Sequence, residues 1–268
     1  SNVLPLDMCR WRMDGGSCAT RVAMIQSGDA QIIWPTPTES VSVLEADPNV
    51  TSYTDEGLVV RYIMLNTQKE PYTDKRVRQA IDYAIDKDAY IQVVKNGLST
   101  KADSVIAPAV QYHKGNEVRP YDVEKAKELL AEAGYPDGFT TTVMYANTTA
   151  NQKQAEFLKQ QLAQVGINLE LNGMESAILN ERIQDVNVPG SEAEVEFYII
   201  GWSPSTGDAD WGIRPLLSIE SEPPMSYNIS YFENEELEGY IQTALSSADD
   251  EVRREAYAKA QDLVWEEC

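Results

Sequence analysis

The sequence is poor in the side chains that most often carry metal-dependent or nucleophilic chemistry. It holds one histidine, His113, and three cysteines, Cys9, Cys18 and Cys268. The cysteine spacings match no zinc motif, and a catalytic triad could be built only through His113. We expect His113, in the loop "VQYHKGNE", to be an exposed histidine. Cys9 and Cys18 are compatible with a bonded pair in an oxidising compartment and equally with two free buried thiols.

Long apolar runs and basic residues are also scarce. No apolar stretch approaches the ~20 residues that a membrane-spanning helix requires, and no charged segment followed by an apolar one opens the sequence. Acidic residues number 43 against 22 Lys and Arg, which gives a formal net charge of −21. Such a chain is repelled by phosphate backbones, so we expect no nucleic-acid partner. Hydrophobic residues make up 43% of the chain, which is enough for a sizeable core.

Helical and strand-like patterns alternate along the chain and predict an α/β or α+β fold in which helices cover a sheet. Strands are predicted at "AQIIWP", over 58–66, at "FTTTVMYA", at "INLELNGM" and at "VEFYIIGW". Helices are predicted at "ATRVAMIQSGD", "YTDKRVRQAIDYAIDKDAYIQVVKNG", "YDVEKAKELLAEAG", "NQKQAEFLKQQLAQVG" and "ESAILNERIQD", and over about 235–246 and 249–266. Helix ends are expected at the glycines Gly28, Gly97, Gly134 and Gly166.

The stretch "GWSPSTGDADW", residues 201–211, directly follows the most β-rich segment and concentrates polar and aromatic side chains. Its candidate ligand-contacting residues are Trp202, Ser205, Thr206, Asp208, Asp210 and Trp211. The indoles can stack on a ligand, the hydroxyls can donate or accept hydrogen bonds, and the carboxylates can accept from an ammonium group. On chemistry alone, a capped loop is favoured, with Asp208 or Asp210 as the N-cap of a helix and the tryptophans in the core.

Four segments occur in an order and spacing that can be compared with those of known families. They are "YIMLNTQKEPYTDKRVRQAIDYAIDKD", "YDVEKAKELLAEAGYPDGF", "FLKQQLAQVGINLEL" and "GWSPSTGDADW". Together they resemble the family 5 extracellular solute-binding proteins, the peptide-type receptors of bacterial ABC importers. "TRVAMIQSGDAQIIWPTP" resembles the preceding stretch of that family. "GWSPSTGDADW" and "SADDEVRREAYAKAQDLVWEE" look closest to its glutathione-binding members.

The resemblance implies a periplasmic-binding-protein-like lobe of the type II peptide-binding class, with a mixed sheet covered by helices. Family members are considerably longer, and their two lobes close on a ligand. We therefore expect a truncated chain, in which residues 1–57 are a partial first-lobe segment and residues 58–268 form the second, ligand-binding lobe. The resemblance also implies an extracytoplasmic location, in the periplasm or as a cell-surface lipoprotein, whose targeting segment this chain does not include.

By the same resemblance the protein is a binding module and not an enzyme, with no catalytic residue, cofactor or metal. It would capture a short peptide or glutathione-like solute by hinge closure and deliver it to an ABC permease in the membrane, and the fragment itself is expected to be monomeric. "SYNISYF" adds Tyr227 and Asn228 to the ligand-contacting set, because this segment should lie near the same cleft. An edge strand with its tyrosine outward is the alternative for this segment.

One position departs from the peptide-binding pattern. Those members carry an aspartate three residues after the tryptophan of "GW", which resembles a clamp for the α-ammonium of the ligand, whereas this sequence has Ser205 there. A hydroxyl cannot supply a charge-assisted hydrogen bond. This substitution fits the glutathione-type members, and we expect Asp208 or Asp210 to reach the displaced γ-glutamyl ammonium instead.

The same stretch suggests two other chemistries. A hydrolase could use Asp208 and Asp210 as paired carboxylates, but residues two apart lie on opposite faces of a strand and about 200° apart on a helix. A calcium site at "GDADWG" would fall well short of the roughly 6–8 oxygen ligands that calcium prefers. Structural roles are favoured for the remaining candidates, which are Tyr62 and Asn66 on a strand and Arg76, Arg78 and Arg182 on helices.

Overall fold

The computed structural model describes residues 18–34, 36–54, 56–184 and 186–267. The chain forms two compact units. One comprises the described residues up to Glu56 together with Lys95–Ser99, and the other comprises Gly57–Val94 and the residues from Thr100 onward. Their assignment to two lobes of a receptor stays a prediction. Cys9, Cys268 and the side chain of Cys18 lie outside the described part of the chain.

The smaller unit contains helix α1 (Cys18–Ser27), a 3-10 turn (Thr38–Ser40) and helix α2 (Val41–Glu45). The strand predicted at "AQIIWP" is wrong. Only a single bridge forms at Ile32, and the side chains of Ile32 and Trp34 are 41% and 64% exposed. A strand needs a hydrogen-bonded neighbour along its length and a buried face to be stable. Here the pairing is limited to that bridge, and among the described side chains of the segment only that of Ala30 is buried.

A four-stranded mixed sheet organises the larger unit. Its strands are β1 (Val60–Leu65), β2 (Thr140–Ala146), β3 (Asn168–Met174) and β4 (Phe197–Trp202). They lie in the order β1-β4-β2-β3, with β1 antiparallel to β4 and the other neighbours parallel. The carboxyl ends of β2, β3 and β4 therefore share one edge with the start of β1, which we call the carboxyl edge. At this edge Val60 faces Trp202 and Arg61 faces Gly201.

Helices cover both faces of this sheet. They are α3 (Lys75–Tyr83), α4 (Lys87–Lys95), α5 (Val123–Glu132), α6 (Thr149–Ala163), α7 (Ser176–Ile183), α8 (Ala209–Leu217), α9 (Glu235–Ser246) and α10 (Asp250–Glu267). Side chains alternate between faces along each strand. Phe197 and Ile199 accordingly pack in a cluster with α3 to α6, whereas Val60 packs with α8 to α10. This mixed α/β architecture confirms the predicted fold class.

The predicted 72–97 helix is two helices, because the chain caps a second helix in its middle. Asp74 begins α3 by accepting from the backbone N–H of Arg76. After α3 ends at Tyr83, the Oδ1 of Asp86 accepts from the backbone N–H of Ala89 at 2.9 Å. An aspartate in this position is a strong N-terminal signal. The predicted helix-ending glycines all have positive φ angles: Gly28, Gly97, Gly134 and Gly166.

Candidate functional site

The stretch "GWSPSTGDADW" forms the end of β4, a loop and the first turn of α8. Gly207 turns this loop with a φ angle of +69°, a conformation that glycine adopts without steric cost. The carbonyl of Gly207 accepts from the backbone N–H of Gln111 at 2.8 Å. The loop therefore lies at the carboxyl edge of the sheet, where ligands of open α/β sheets commonly bind.

The carboxylate of Asp208 has two partners among the described residues. Its Oδ1 accepts from the backbone N–H of Asp210 at 2.8 Å, so it is the N-cap of α8 that the capped-loop interpretation predicts. The Nη2 of Arg253, from the first turn of α10, also donates to both carboxylate oxygens at 3.0 and 2.9 Å. This negative charge is thus balanced by a guanidinium that lies far away in the sequence.

Asp210 is balanced in the same way by its own arginine. The Nε and Nη2 of Arg214, one turn further along α8, donate to its two oxygens at 2.8 and 2.7 Å. Hydrogen bonding to Asp210 raises the pKa of Arg214 above its ordinary value. Because each aspartate faces its own arginine, Asp208 and Asp210 do not flank a common point, as the paired carboxylates of a glycosidase would.

Three aromatic side chains lie together beside this loop. The ring centroid of Trp202 is 6.2 Å from that of Trp211 and 4.9 Å from that of Tyr227. The Nε1 of Trp202 donates to the backbone carbonyl of Trp211 at 2.7 Å. Trp211 is 37% exposed, so this tryptophan is not a core residue. We call Trp202, Trp211 and Tyr227 the aromatic wall, a partly open apolar surface with stacking geometry.

A recess of about 400 Å³ opens next to the aromatic wall. Its lining residues are Thr206, Asp208, Asp210, Trp211, Ala244, Leu245, Ser247 and Arg253. The last four come from the end of α9 and the start of α10, and sequence reasoning missed them as site residues. Their helical spacing looks like that of ordinary amphipathic helices, and no local signal in the sequence separates them from other helix positions.

Ser205 is exposed on the same loop, but the structure does not bring Asn228 to the recess. Asn228 is 0% exposed, and its side-chain amide donates to the backbone carbonyls of Ser218 and Phe232 at 3.0 and 3.1 Å. Its Oδ1 accepts from the hydroxyl of Ser230 at 2.8 Å. A buried amide with its hydrogen bonds made inside the protein holds the local turn together.

The secondary candidates have structural partners, as expected. Asn66 is 1% exposed and donates to two backbone carbonyls, and the hydroxyl of Tyr62 donates to the backbone carbonyl of Val105. Arg182 pairs with Glu194 at 2.9 Å. The other two arginines also form ion pairs, Arg76 with Asp74 and Arg78 with Glu267.

His113 differs from its expectation, because it is half-buried and not exposed. Its Nε2 lies 2.9 Å from the Oδ1 of Asp103. The neighbouring loop is fixed by Gln261 of α10, whose Oε1 accepts from the backbone N–H of Lys114 at 2.9 Å. These contacts fold the histidine against the protein.

The described ranges contain neither a cluster of metal-binding side chains nor a membrane-spanning helix. No group of three or more His, Cys, Asp or Glu side chains there is arranged to hold a metal ion. Among the helices of the described chain, none combines the length and the apolar character needed to cross a bilayer.

Known proteins resemble this chain in both sequence and structure. The family model "Bacterial extracellular solute-binding proteins, family 5 Middle" matches residues 16–221. The glutathione-binding protein GsiB of Escherichia coli K12 is 36% identical over 264 residues, which cover 98% of this chain and 51% of GsiB. The periplasmic binding protein DppA of Helicobacter pylori, solved with the peptide STSA, superimposes with a TM-score of 0.84 at 29% identity and covers 93% of this chain and 48% of DppA. A dipeptide-binding protein of Pseudoalteromonas sp. SM9913, solved with Met-Leu, gives a TM-score of 0.81 at 25% identity over 94% of this chain and 49% of its own.

The chain thus spans about half the length of the relatives that it matches. These relatives are binding proteins and not enzymes, and DppA is described as associated with an ABC transporter. The family match covers most of the chain and confirms the resemblance to family 5 solute-binding proteins that the four sequence motifs indicate. This chain belongs to the family 5 bacterial extracellular solute-binding proteins.

Proposed function

We propose that this chain is part of the extracytoplasmic receptor of an ABC importer, which captures a short peptide or glutathione-like solute and delivers it to a membrane permease. The aromatic wall beside exposed hydroxyls, at the carboxyl edge of the sheet, is the observation that carries the proposal. Relatives that bind glutathione and peptides support the ligand class.

Capture proceeds by hinge closure in the full-length receptor, with residues 58–268 as the ligand-binding lobe and residues 1–57 as a segment of the other. Closing two lobes replaces the hydration of the ligand with fixed protein dipoles. Binding therefore favours the closed population over the open one. The ligand leaves chemically unaltered, which separates this function from that of a hydrolase.

The proposed contacts divide by chemistry. Trp202, Trp211 and Tyr227 stack on apolar parts of the ligand. Ser205 and Thr206 form neutral hydrogen bonds with its polar groups. Asn228 supports the turn from beneath without touching the ligand.

Asp208 and Asp210 accept from the ligand ammonium through the lone pairs that their arginines leave open. A carboxylate has about four lone-pair sites, and Asp208 already accepts from Arg253 and from the N–H of Asp210. Because both carboxylates are balanced by arginines, the ammonium gains hydrogen bonds here without finding an unpaired negative charge.

A thermal-shift panel on the full-length protein tests this function. The panel contains glutathione, glutathione disulfide, dipeptides, tripeptides and simple oligosaccharides. A ligand present at about 100 times its Kd stabilises the folded state by about 2.7 kcal/mol. We expect a shift with glutathione and not with oligosaccharides, and recovery of the ligand intact. The proposal is contradicted if no ligand of the panel shifts the melting temperature, or if any ligand is chemically converted.

Two variants test the proposed ammonium contacts. Asp208→Asn and Asp210→Asn each keep the size of the side chain and remove its charge. We expect weaker glutathione binding from at least one of them. If both variants bind glutathione as tightly as the wild type, the aspartates do not contact the ligand, and the aromatic wall remains the proposed contact surface.

A further inference from the structure

Arg61 differs from the other arginines of the larger unit. In the part of that unit that the structure describes, every other arginine has a carboxylate within ion-pair distance: Arg76, Arg78, Arg119, Arg182, Arg214, Arg253 and Arg254. Among the described residues, Arg61 donates to a neutral acceptor, the side-chain carbonyl of Asn151, at 3.2 Å, and has no carboxylate within ion-pair distance. Although the chain has 43 acidic residues, the Arg61 guanidinium can therefore bind an anionic group of a ligand.

The position of Arg61 is at the carboxyl edge, beside the candidate site. It is the second residue of β1 and faces Gly201, while the preceding Val60 faces Trp202. Neighbouring strands lie about 4.8 Å apart, so the backbone of Arg61 is one strand away from the start of the loop that follows β4. Arg61 is exposed, and its side chain lies on the face opposite that of Trp202. A ligand that crosses the edge would meet the aromatic wall on one side and Arg61 on the other.

Gly201 gives Arg61 the space to lie along this edge. A Cβ atom added at Gly201 would be 3.1 Å from both the Cδ and the Nε of Arg61, closer than ordinary contact. A glycine inside a strand weakens the strand and often marks a place that another group approaches closely. Here the approaching group is the arginine side chain itself.

Asn151 orients the guanidinium. Its Nδ2 donates to the backbone carbonyl of Ala146 at 3.0 Å, which fixes the amide and turns its Oδ1 toward Arg61. A guanidinium has five N–H donors in a planar fork, and this contact uses one of its nitrogens. The remaining donors match the two oxygens of a carboxylate.

We infer that Arg61 binds a carboxylate of the ligand. The inference rests on the proposed function and adds to it the residue that recognises the acidic end of a peptide or glutathione-like solute. Ligand amine and apolar groups lie at the aromatic wall and the recess, whose two aspartates are already paired with arginines. Arg61 then supplies the charge that a carboxylate requires at this lobe.

Isothermal titration of the full-length protein with glutathione, trialanine and their singly amidated forms tests the inference. Arg61→Met removes the charge and keeps much of the aliphatic stem, and Arg61→Lys keeps the charge without the fork. Arg254→Met is the matched control, because Arg254 lies in an exposed pair with Asp250. For whichever free acid binds the wild-type protein, we expect Arg61→Met to weaken the affinity by about 10- to 100-fold, the range of a lost charge-assisted hydrogen bond. Arg61→Lys retains part of the affinity, and Arg254→Met retains all of it.

Amidation provides the decisive comparison. Blocking the recognised carboxylate should weaken binding to the wild-type protein and abolish the difference between wild type and Arg61→Met. The inference is overturned if Arg61→Met binds the free acids as tightly as the wild type does. It is also overturned if Arg61→Met loses the same factor of affinity for the free acid and for every amidated form. In both cases the proposed function stands. If the wild-type protein binds none of these ligands, the proposed function fails and the inference fails with it.

Discussion

The Nη2 of Arg253 donates to both carboxylate oxygens of Asp208, at 3.0 and 2.9 Å, and so ties α10 to the loop that follows β4. The same guanidinium lies 5.0 Å from the ring centroid of Tyr112, whose hydroxyl donates to Asp250 at 2.9 Å. One arginine thereby joins three segments that are distant in the sequence. The loop after β4 is therefore held in position by this junction as well as by the strand before it.

Removing this junction should destabilise the protein. The side chains of Arg253 and Asp208 are 25% and 22% exposed, so Arg253→Met leaves a half-buried carboxylate without its cation. We expect a loss of about 1–3 kcal/mol in the free energy of unfolding, measured by urea denaturation. The control, Arg254→Met, breaks an exposed pair and should cost about 0.5 kcal/mol or less. Equal losses from the two variants would contradict the junction.

Within the aromatic wall, the Trp211 side chain should contribute more to ligand affinity than to the stability of the fold. Because Trp211 is 37% exposed and lines the recess, Trp211→Ala should weaken ligand binding by about tenfold, the scale of one aromatic contact. Titration calorimetry with the ligand found by the thermal-shift panel measures this change. Met225→Ala, at a residue that is 79% exposed and does not line the recess, should leave binding unchanged. The idea fails if Trp211→Ala binds normally.

Ser205 can be used to change ligand preference. Ser205→Asp places a carboxylate three residues after Trp202, where it can form a charge-assisted bond with a ligand α-ammonium. We expect affinity for plain tripeptides to rise by about tenfold relative to glutathione. Ser205→Asn, which has a similar size and no charge, should produce no such change. Identical preferences in the two variants would remove Ser205 from the determinants of specificity.

Glu222 should make stability depend on pH. Burial, followed by the nearby charge of Glu233, raises the pKa of its carboxyl above the ordinary value of 4.5. Its Oε1 is buried without a hydrogen-bond partner in the described chain. Since the folded pKa exceeds the unfolded one, the protonated form is favoured in the fold, and its contribution is lost as pH rises from about 4.5 through the folded value.

Glu222→Gln mimics the protonated carboxyl at every pH. Its stability relative to the wild type should therefore increase from pH 4 to pH 7, which thermal melts across this range can follow. Glu220→Gln, at an exposed neighbour, should show no such trend. A difference between Glu222→Gln and wild type that stays constant with pH would contradict the assignment.

Gly138 and Gly166 approach each other at the beginning of β2 and β3. A Cβ atom at Gly138 would clash with the backbone carbonyl of Gly166, and Gly138 has a φ angle of +76°. Gly138→Ala should cost more than about 2 kcal/mol, because both strain and a backbone clash oppose it. Gly239→Ala, in α9 with nothing within 4 Å of the added atom, should stabilise by up to about 1 kcal/mol. Chemical denaturation of both variants provides the comparison.

Local signals account for the parts of the fold that the sequence predicts well. Asp74 and Asp122 cap their helices, and the segments predicted as strands over 58–66 and at "VEFYIIGW" form β1 and β4. The continuous 72–97 helix was wrong because the periodicity of its apolar residues continues through the break. A cap inside an amphipathic pattern, here Asp86, is easily overlooked when the apolar stripe continues on both sides of it.

The candidate site was less predictable, because its chemistry depends on contacts between distant residues. Asp208 looks like a free ligand group until Arg253 is seen 45 residues away. Asn228 carries the same side chain whether it meets a ligand or satisfies its own turn, and only burial separates the two roles. Arg61 lies in an ordinary strand pattern, and only the three-dimensional structure shows that no carboxylate of the described residues pairs with it.

The order of the strands has a consequence for how the protein is made. β4 is the last strand to be synthesised, yet it lies between β1 and β2. On the ribosome, the facing edges of β1 and β2 stay unpaired until Trp202 has emerged, and unpaired edges invite association with other chains. A nascent chain that stops short of β4 therefore lacks both the complete sheet and the candidate site, and the site forms only after α9 and the start of α10 have followed.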